Sequence, residues 1–306
     1  MNRTIVRAGL IAAAIVLVQA ALIAWFSWPA SELEPRHLPV VVAGPAEALQ
    51  QRFGDAFDVT SVPDEAAADR ALRDREAYAA FVPGPGGLTL HVASAASPTV
   101  ATLLSQAAAQ ATGAPVTVRD VVPNSADDPR GAGFAAGFLP LVLTSLAAGA
   151  VIALLHAGRA ARIAGVVTYA VLAGLVGAAV LTGMGLVSGY GAVALAVGLL
   201  ALAIAAGVAG LGAALGPAGI GLGVLLVFLI GNPISAVAAA PELLPRPWGT
   251  IGQLLPSGAG ATLIRSAAYF DWAGSARALW ALVAWSVVGL ALLAVGRASL
   301  GRRHPA

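Results

Sequence analysis

The stretch AGLIAAAIVLVQAALIAWFSW, residues 8–28, carries no charge and is followed closely by the acidic opening SELEPRH of residues 31–37. As a helix, such a run is long enough to cross the ~30 Å hydrocarbon layer of a bilayer. Thirteen of the fifteen acidic residues then fall between Ser31 and Ala132, and beyond Gly133 only Glu242 and Asp271 are acidic. This partition predicts a membrane protein holding one soluble unit.

Composition supports that class. The chain is 58% hydrophobic and 10% charged, with a mean hydropathy of +0.85, whereas a globular domain is roughly 25% charged. All seventeen basic residues are arginine, and they form no patch interleaved with aromatics, so nucleic acid is not an expected partner. The absence of cysteine excludes disulfides, thiolate metal sites and thiol nucleophiles.

Residues 8–28 follow Arg3 and Arg7, as the apolar core of a signal peptide would, but the run is longer than the usual ~7–15 residues. Trp28 also stands where a cleavage site needs a small residue, so an uncleaved span is expected. Further apolar stretches lie at 133–155, 163–187, 191–215, 218–238 and 279–296. The expected fold is an α-helical polytopic membrane protein with six transmembrane helices. An extracytoplasmic α/β domain is inserted between helices one and two. The expected divisions are 1–30, 31–132 and 133–306, with an external loop at 239–278. Arg3, Arg7, Arg159, Arg162, Arg297, Arg302 and Arg303 fall on one side without acids, which the positive-inside rule makes cytoplasmic. Both termini are then cytoplasmic, in a bacterial plasma membrane. Asn232-Pro233 interrupts the fifth stretch and predicts either a bent span or a short helix near 218–230 followed by a re-entrant piece.

Within the acidic island, the patterning predicts β-α-β-α-β-β-α-β. Strands are expected at 38–43, 57–62, 78–82, 88–93 and 116–122. The expected helices begin at Pro45, carrying Leu49 and Phe53; at Asp64 as cap, running to about Glu76; and at Ser97-Pro98, ending at Gly113. His37 and His91 have no neighbours at metal-ligand spacing and read as surface or strand-face residues. Asp64, Glu65, Asp69, Asp74 and Glu76, interleaved with Arg70, Arg73 and Arg75, read as a solvated helix face with i,i+4 pairs. Gly84-Pro85-Gly86-Gly87 joins strand to strand and lacks the helix N-terminus of a phosphate loop. No catalytic, metal or cofactor residue is expected.

The later spans hold no Asp, Glu, Lys or Arg except arginines at their ends, which argues against an ion-coupled transporter. The spacings Gly133/Gly137, Gly185/Gly189, Gly212/Gly216 and Gly219/Gly223 predict tight helix packing. Trp25, Trp28, Trp248, Tyr269, Phe270 and Trp272 read as an aromatic belt at the outer interface. In 239–278, Ser257 is expected to cap an amphipathic helix to about Phe270, with Arg265 charged, lying on the membrane or dipping into it. Pro241, Glu242, Pro245, Pro256 and Arg265 thus mark an expected external lid.

The order of one span, an external α/β domain and five spans resembles the permease subunits of type-2 ABC exporters, closest to the phage-infection-protein-like branch. Glu65-Ala66 to Leu72, then Ala77-Tyr78-Ala79-Ala80-Phe81-Val82-Pro83, is similar to that family's helix-to-strand passage. Pro241-Glu242-Leu243-Leu244-Pro245, Leu255-Pro256-Ser257-Gly258-Ala259, Arg265 and Tyr269-Phe270 are similar to its pattern before the last span. The resemblance implies a half-transporter, paired as a homodimer or with a second permease. A separate cytoplasmic ABC ATPase would drive it. The chain has no lysine and therefore no phosphate-loop motif of its own. Only Met1 to Arg7 precede the first span, so coupling to the ATPase would rest on the loop carrying His156, Arg159 and Arg162, with the turn near Gly216-Pro217 as a second contact. The expected cargo is lipophilic or amphipathic. The alternative is a non-transporting membrane scaffold or receptor whose external domain binds a partner.

Overall fold

The computed structural model describes residues 3–47, 50–51, 54–84, 87–112 and 116–296. Leu49, Phe53, Pro85, Gly86, Gly113, Arg297, Arg302 and Arg303 lie outside them.

The protein is mostly helical with one small mixed sheet. Helix α1 is Arg3–Ser31; its apolar side chains are exposed along most of its length. Strands β1 (Leu38–Ala43), β2 (Phe57–Val62), β3 (Ala79–Gly84), β4 (Gly87–Val92) and β5 (Thr117–Asp120) form a sheet in the order β2-β1-β3-β4-β5. β1 runs parallel to β2 and β3; β3 and β4 form an antiparallel hairpin, and β5 is parallel to β4.

Alternation along the strands divides the apolar residues between two faces. Val40, Val42, Phe81 and Leu90 pack under α3 (Pro98–Thr112) through Val100 and Leu104. Val41, Ala80 and Val82 pack against α2 (Glu65–Arg73) through Ala68, Ala71 and Leu72. Asp64 caps α2 as its position predicts, its carboxylate accepting from the Ala67 N–H at 2.8 Å.

The helical block comprises α4 (Ala132–Leu154), α5 (Arg159–Gly183), α6 (Tyr190–Leu215), α7 (Pro217–Val224), α8 (Trp248–Gly252), α9 (Pro256–Tyr269) and α10 (Ala276–Val295). Among the described residues, α1, α4, α5, α6 and α10 are the helices long and apolar enough to cross a membrane. α5 begins at Arg159, ahead of the apolar stretch read at 163–187. α6 is the central post: 67% of its most apolar window is buried, against 0% for α1. Backbones meet closely around it, and a Cβ on Gly210 would strike the Gly289 carbonyl of α10. The expected Gly212 and Gly219 positions also serve close packing: Gly219 meets the Leu211 carbonyl within the α6–α7 hairpin, and Gly212 faces Ala153 of α4 as well as Ile220 of α7.

The stretch expected at 218–238 is helical only to Ile230. α7 passes into a π-helical turn at Leu225–Ile230, and irregular chain follows through Asn232-Pro233. This agrees with the short helix expected near 218–230, whereas two other expectations are corrected. Ser257 is no cap: Leu255 holds that position, Pro256 starts the helix, and Ser257 Oγ donates to the Val227 carbonyl at 3.1 Å. α9 is also not a surface helix, since twelve of its residues are buried, Arg265 among them. Small residues let it sink against α6, where Gly260 faces Leu200.

Candidate functional site at the junction of sheet and helices

The sheet unit docks on one end of the helical block through the segment between α7 and α10. Ala240 and Leu243 enter the sheet core on the α3 side, and Phe270 enters it on the α2 side. Phe270 is therefore a core residue, not part of an aromatic belt. Trp25 and Trp28 do cluster with Trp248, with centroids 5.4 and 6.1 Å from it, and Trp25 Nε1 donates to the Leu229 carbonyl at 2.6 Å.

Polar bonds fasten this junction. Tyr78 Oη donates to Glu242 Oε2 at 2.9 Å. Arg265 sends Nη1 to the Ala95 carbonyl at 2.9 Å and Nη2 to the Val237 carbonyl at 3.0 Å, with its guanidinium over the Phe134 ring. It thereby ties the sheet unit, the irregular segment after α7 and the start of α4. Burial, then the charge of Arg75, push Arg265 down to about 10. Arg75 follows α2 in a left-handed conformation (φ 58°), which turns it off the solvated face expected for it. It donates to the Thr262 carbonyl at 3.2 Å and Ser266 Oγ at 2.5 Å and lies over Phe270. Burial lowers its pKa. Asp128 completes the collar, accepting from Gly133 N at 3.0 Å and Phe134 N at 2.8 Å at the start of α4.

Beside these bonds lies a cleft of about 380 Å³ between the sheet unit and the segment from Pro241 to α10. Four arginines line it, Arg36, Arg75, Arg246 and Arg277, against two carboxylates, Asp58 and Glu242. Asp58 is engaged by His37 Nδ1 at 3.0 Å, and Glu242 by Tyr78. Arg36 pairs with Glu34 at 2.5 Å. Among the described residues no carboxylate pairs with Arg75, Arg246 or Arg277.

A second polar cluster lies on the α2 side of the sheet. His91, expected at a surface or strand face, is buried, and its Nδ1 meets Asp69 Oδ1 at 2.7 Å. Asp69, expected on a solvated face, is buried too, because α2 turns it toward β4. Glu65, Asp69 and His91 offer ligand atoms within 4.8 Å of one another. Arg119 already contacts Glu65 at 2.6 Å and Asp69 at 3.4 Å, and Arg73 lies 3.7 Å from Asp69. Two guanidinium groups on these carboxylates oppose a further cation, so the cluster fits a balanced ionic network better than a metal centre.

The expected lid residues are thus partly gathered. Pro241 and Glu242 line the cleft and Arg265 lies behind it, whereas Pro245 precedes α8 and Pro256 begins α9. His156, Arg159 and Arg162 sit together at the far end of α4, where Arg162 Nη2 donates to the Leu155 carbonyl at 2.7 Å. Arg75, Tyr78, Arg246 and Arg277 were not singled out by sequence as site residues. For Arg246 and Arg277 the available signal was arginine in a segment with few acids, whereas Arg75, between Asp74 and Glu76, and Tyr78 carried no such signal. No protein-family model, curated protein or solved structure matches the chain.

Proposed function

We propose that this chain is the membrane permease subunit of an ABC-type exporter, moving a lipophilic or amphipathic substrate with energy from a separate cytoplasmic ATPase. The observation that carries the reading is the polarity of the helical block. The sheet unit occupies one end, the arginine-bearing loop at His156–Arg162 occupies the other, and α4 spans ~35 Å between them. The membrane-length helices of the block hold no Asp, Glu, Lys, Arg or His away from their ends, which suits a path driven from outside the bilayer better than one driven by proton or ion relay.

In this reading the chain crosses a bacterial plasma membrane six times with both termini cytoplasmic. Residues 31–132 are extracytoplasmic, and residues 133–306 form the translocating domain. The fifth crossing begins with Pro217–Ile230, ~21 Å of helix, and is completed by irregular chain packed against α9. Two copies, or one copy with a second permease, enclose the path. His156, Arg159 and Arg162 engage the ATPase. The segment around Pro241, Glu242 and Arg265 closes the outer side.

The test is purification of the full chain from its native membrane. An ATPase with a phosphate-binding loop is expected to co-purify, and Arg159→Glu with Arg162→Glu is expected to release it. If no nucleotide-binding partner accompanies the wild type and the double variant leaves export unchanged, the exporter reading fails. A scaffold or receptor is the second reading. It is favoured by β5, exposed along its length at the sheet edge, where a partner strand finds an open template.

A further inference from the structure

We infer that the cleft between the sheet unit and α8–α10 binds a phosphate-type anion, either as free phosphate or as the headgroup of a membrane amphiphile. The inference stands on the cleft's own chemistry and does not depend on the exporter reading. Arg75, Arg246 and Arg277 converge on one cavity with no carboxylate bonded to any of them among the described residues. The two carboxylates lining it have other hydrogen-bond partners, His37 for Asp58 and Tyr78 for Glu242, and although the charge of Glu242 offsets part of that of Arg75, the four arginines outnumber them.

Of the three, Arg75 is the one withdrawn from water, where a cation is unfavourable and an arriving anion is stabilised by the charge it relieves; Arg246 and Arg277 stand at the exposed mouth of the cleft. Guanidinium groups present paired N–H donors that match the oxygens of a phosphate. The partners of Arg75 explain why it is poised. The Thr262 carbonyl, Ser266 Oγ and the Phe270 ring orient it without cancelling its charge. Gly274 (φ 65°) lies against its side chain and confines it further. At about 380 Å³, the cleft falls in the range that encloses small ligands. Gly249 and Thr250 of α8 line it, and the same helix brings Trp248 to the Trp25–Trp28 pair. Tryptophan clusters of this kind sit at headgroup level in membranes, which places the cleft within reach of a lipid phosphate.

Full-length protein in phosphatidylcholine nanodiscs is titrated with inorganic phosphate, and native mass spectrometry compares retained phosphatidylglycerol with phosphatidylcholine. The key variant is Arg246→Gln with Arg277→Gln. Both side chains are exposed, so the fold is expected to survive. Exposed Arg130→Gln, outside the cleft, serves as control. Binding is expected to weaken by at least about tenfold in the double variant and to be unchanged in the control. Saturable inorganic phosphate binding identifies a soluble ligand, and selective retention of phosphatidylglycerol alone identifies a headgroup; either sustains the inference. It is overturned if the wild type binds neither selectively, or if the double variant binds as the wild type does.

Discussion

Tyr78 and Glu242, 164 positions apart, are joined by a 2.9 Å hydrogen bond that fastens the start of the β3 hairpin to the loop before α8. Tyr78→Phe removes the donor and leaves the Glu242 carboxylate without it, at a cost of about 1–2 kcal/mol. The bond also gives the junction an alkaline limit. Burial first, then the charge of Glu242, hold Tyr78 well above its ordinary 10.0, against the opposing pull of Arg75 and Arg265. The folded protein therefore keeps the phenolic proton more tightly than the unfolded chain. The Tyr78 contribution is intact below about pH 10 and is lost as pH rises toward the folded value. Thermal unfolding of the two proteins across alkaline pH checks this. Their difference in melting temperature is expected to shrink above pH 10, and a constant difference would count against the assignment.

Arg265 is the more costly residue to remove. Its two charged bonds satisfy the carbonyls of Ala95 and Val237 in two different parts of the chain. Arg265→Leu strands both and is expected to destabilise by about 3–5 kcal/mol. Arg265→Lys keeps the charge but has no planar fork to span both oxygens, so it is expected to recover only part of the loss. Limited proteolysis of the junction, scored beside thermal unfolding, would show whether the sheet unit loosens first. Wild-type resistance in the Leu variant would refute the role.

The strands of the island were legible because each carries short-range information. Leu38 to Ala43 and Phe57 to Val62 fall where alternation and turn residues put them. Asp64 needs only the next turn of chain to act as a cap. The apolar helices follow from length and charge alone. Arg265 was not legible: one arginine among Leu263, Ile264 and alanines reads as the polar face of a surface helix. Its actual partners come from residues 95 and 237. His91 was legible as a strand residue, but its partner was not, since Asp69 reaches it from another element. Arg75 depended on a left-handed residue at a helix end, which composition does not mark. The cleft combines all of these cases and was visible only in three dimensions.

Close backbone contact between α6 and α10 predicts opposite outcomes for two glycines. A Cβ at Gly289 would overlap the Ala206 carbonyl, so Gly289→Ala forces the helices apart, at a cost of about 1–3 kcal/mol. Gly221, exposed on α7, has no atom within 4 Å of such a Cβ. Gly221→Ala is expected to stabilise by about 0.5–1 kcal/mol through helix propensity. Melting temperatures in one detergent compare them directly. Equal shifts of the same sign would contradict the packing.

The His91 network separates buried from exposed ionic contributions on a single helix. Asp69 and Glu65 both touch Arg119, but the Asp69 side chain is 7% exposed and that of Glu65 53%. Asp69→Ala leaves buried His91 without its 2.7 Å partner and removes the ion-pair partner of Arg73, so a loss of about 2–3 kcal/mol is expected. Glu65→Ala deletes an ion pair that water already screens, and is expected to cost about 0–1 kcal/mol despite its shorter 2.6 Å contact. Burial, not distance, thus orders the two variants. Hydrogen exchange at β4 and β5 reads the result locally, with protection falling in the Asp69 variant and holding in the Glu65 variant. The reverse order would place the stabilising contact on the exposed Arg119–Glu65 pair instead.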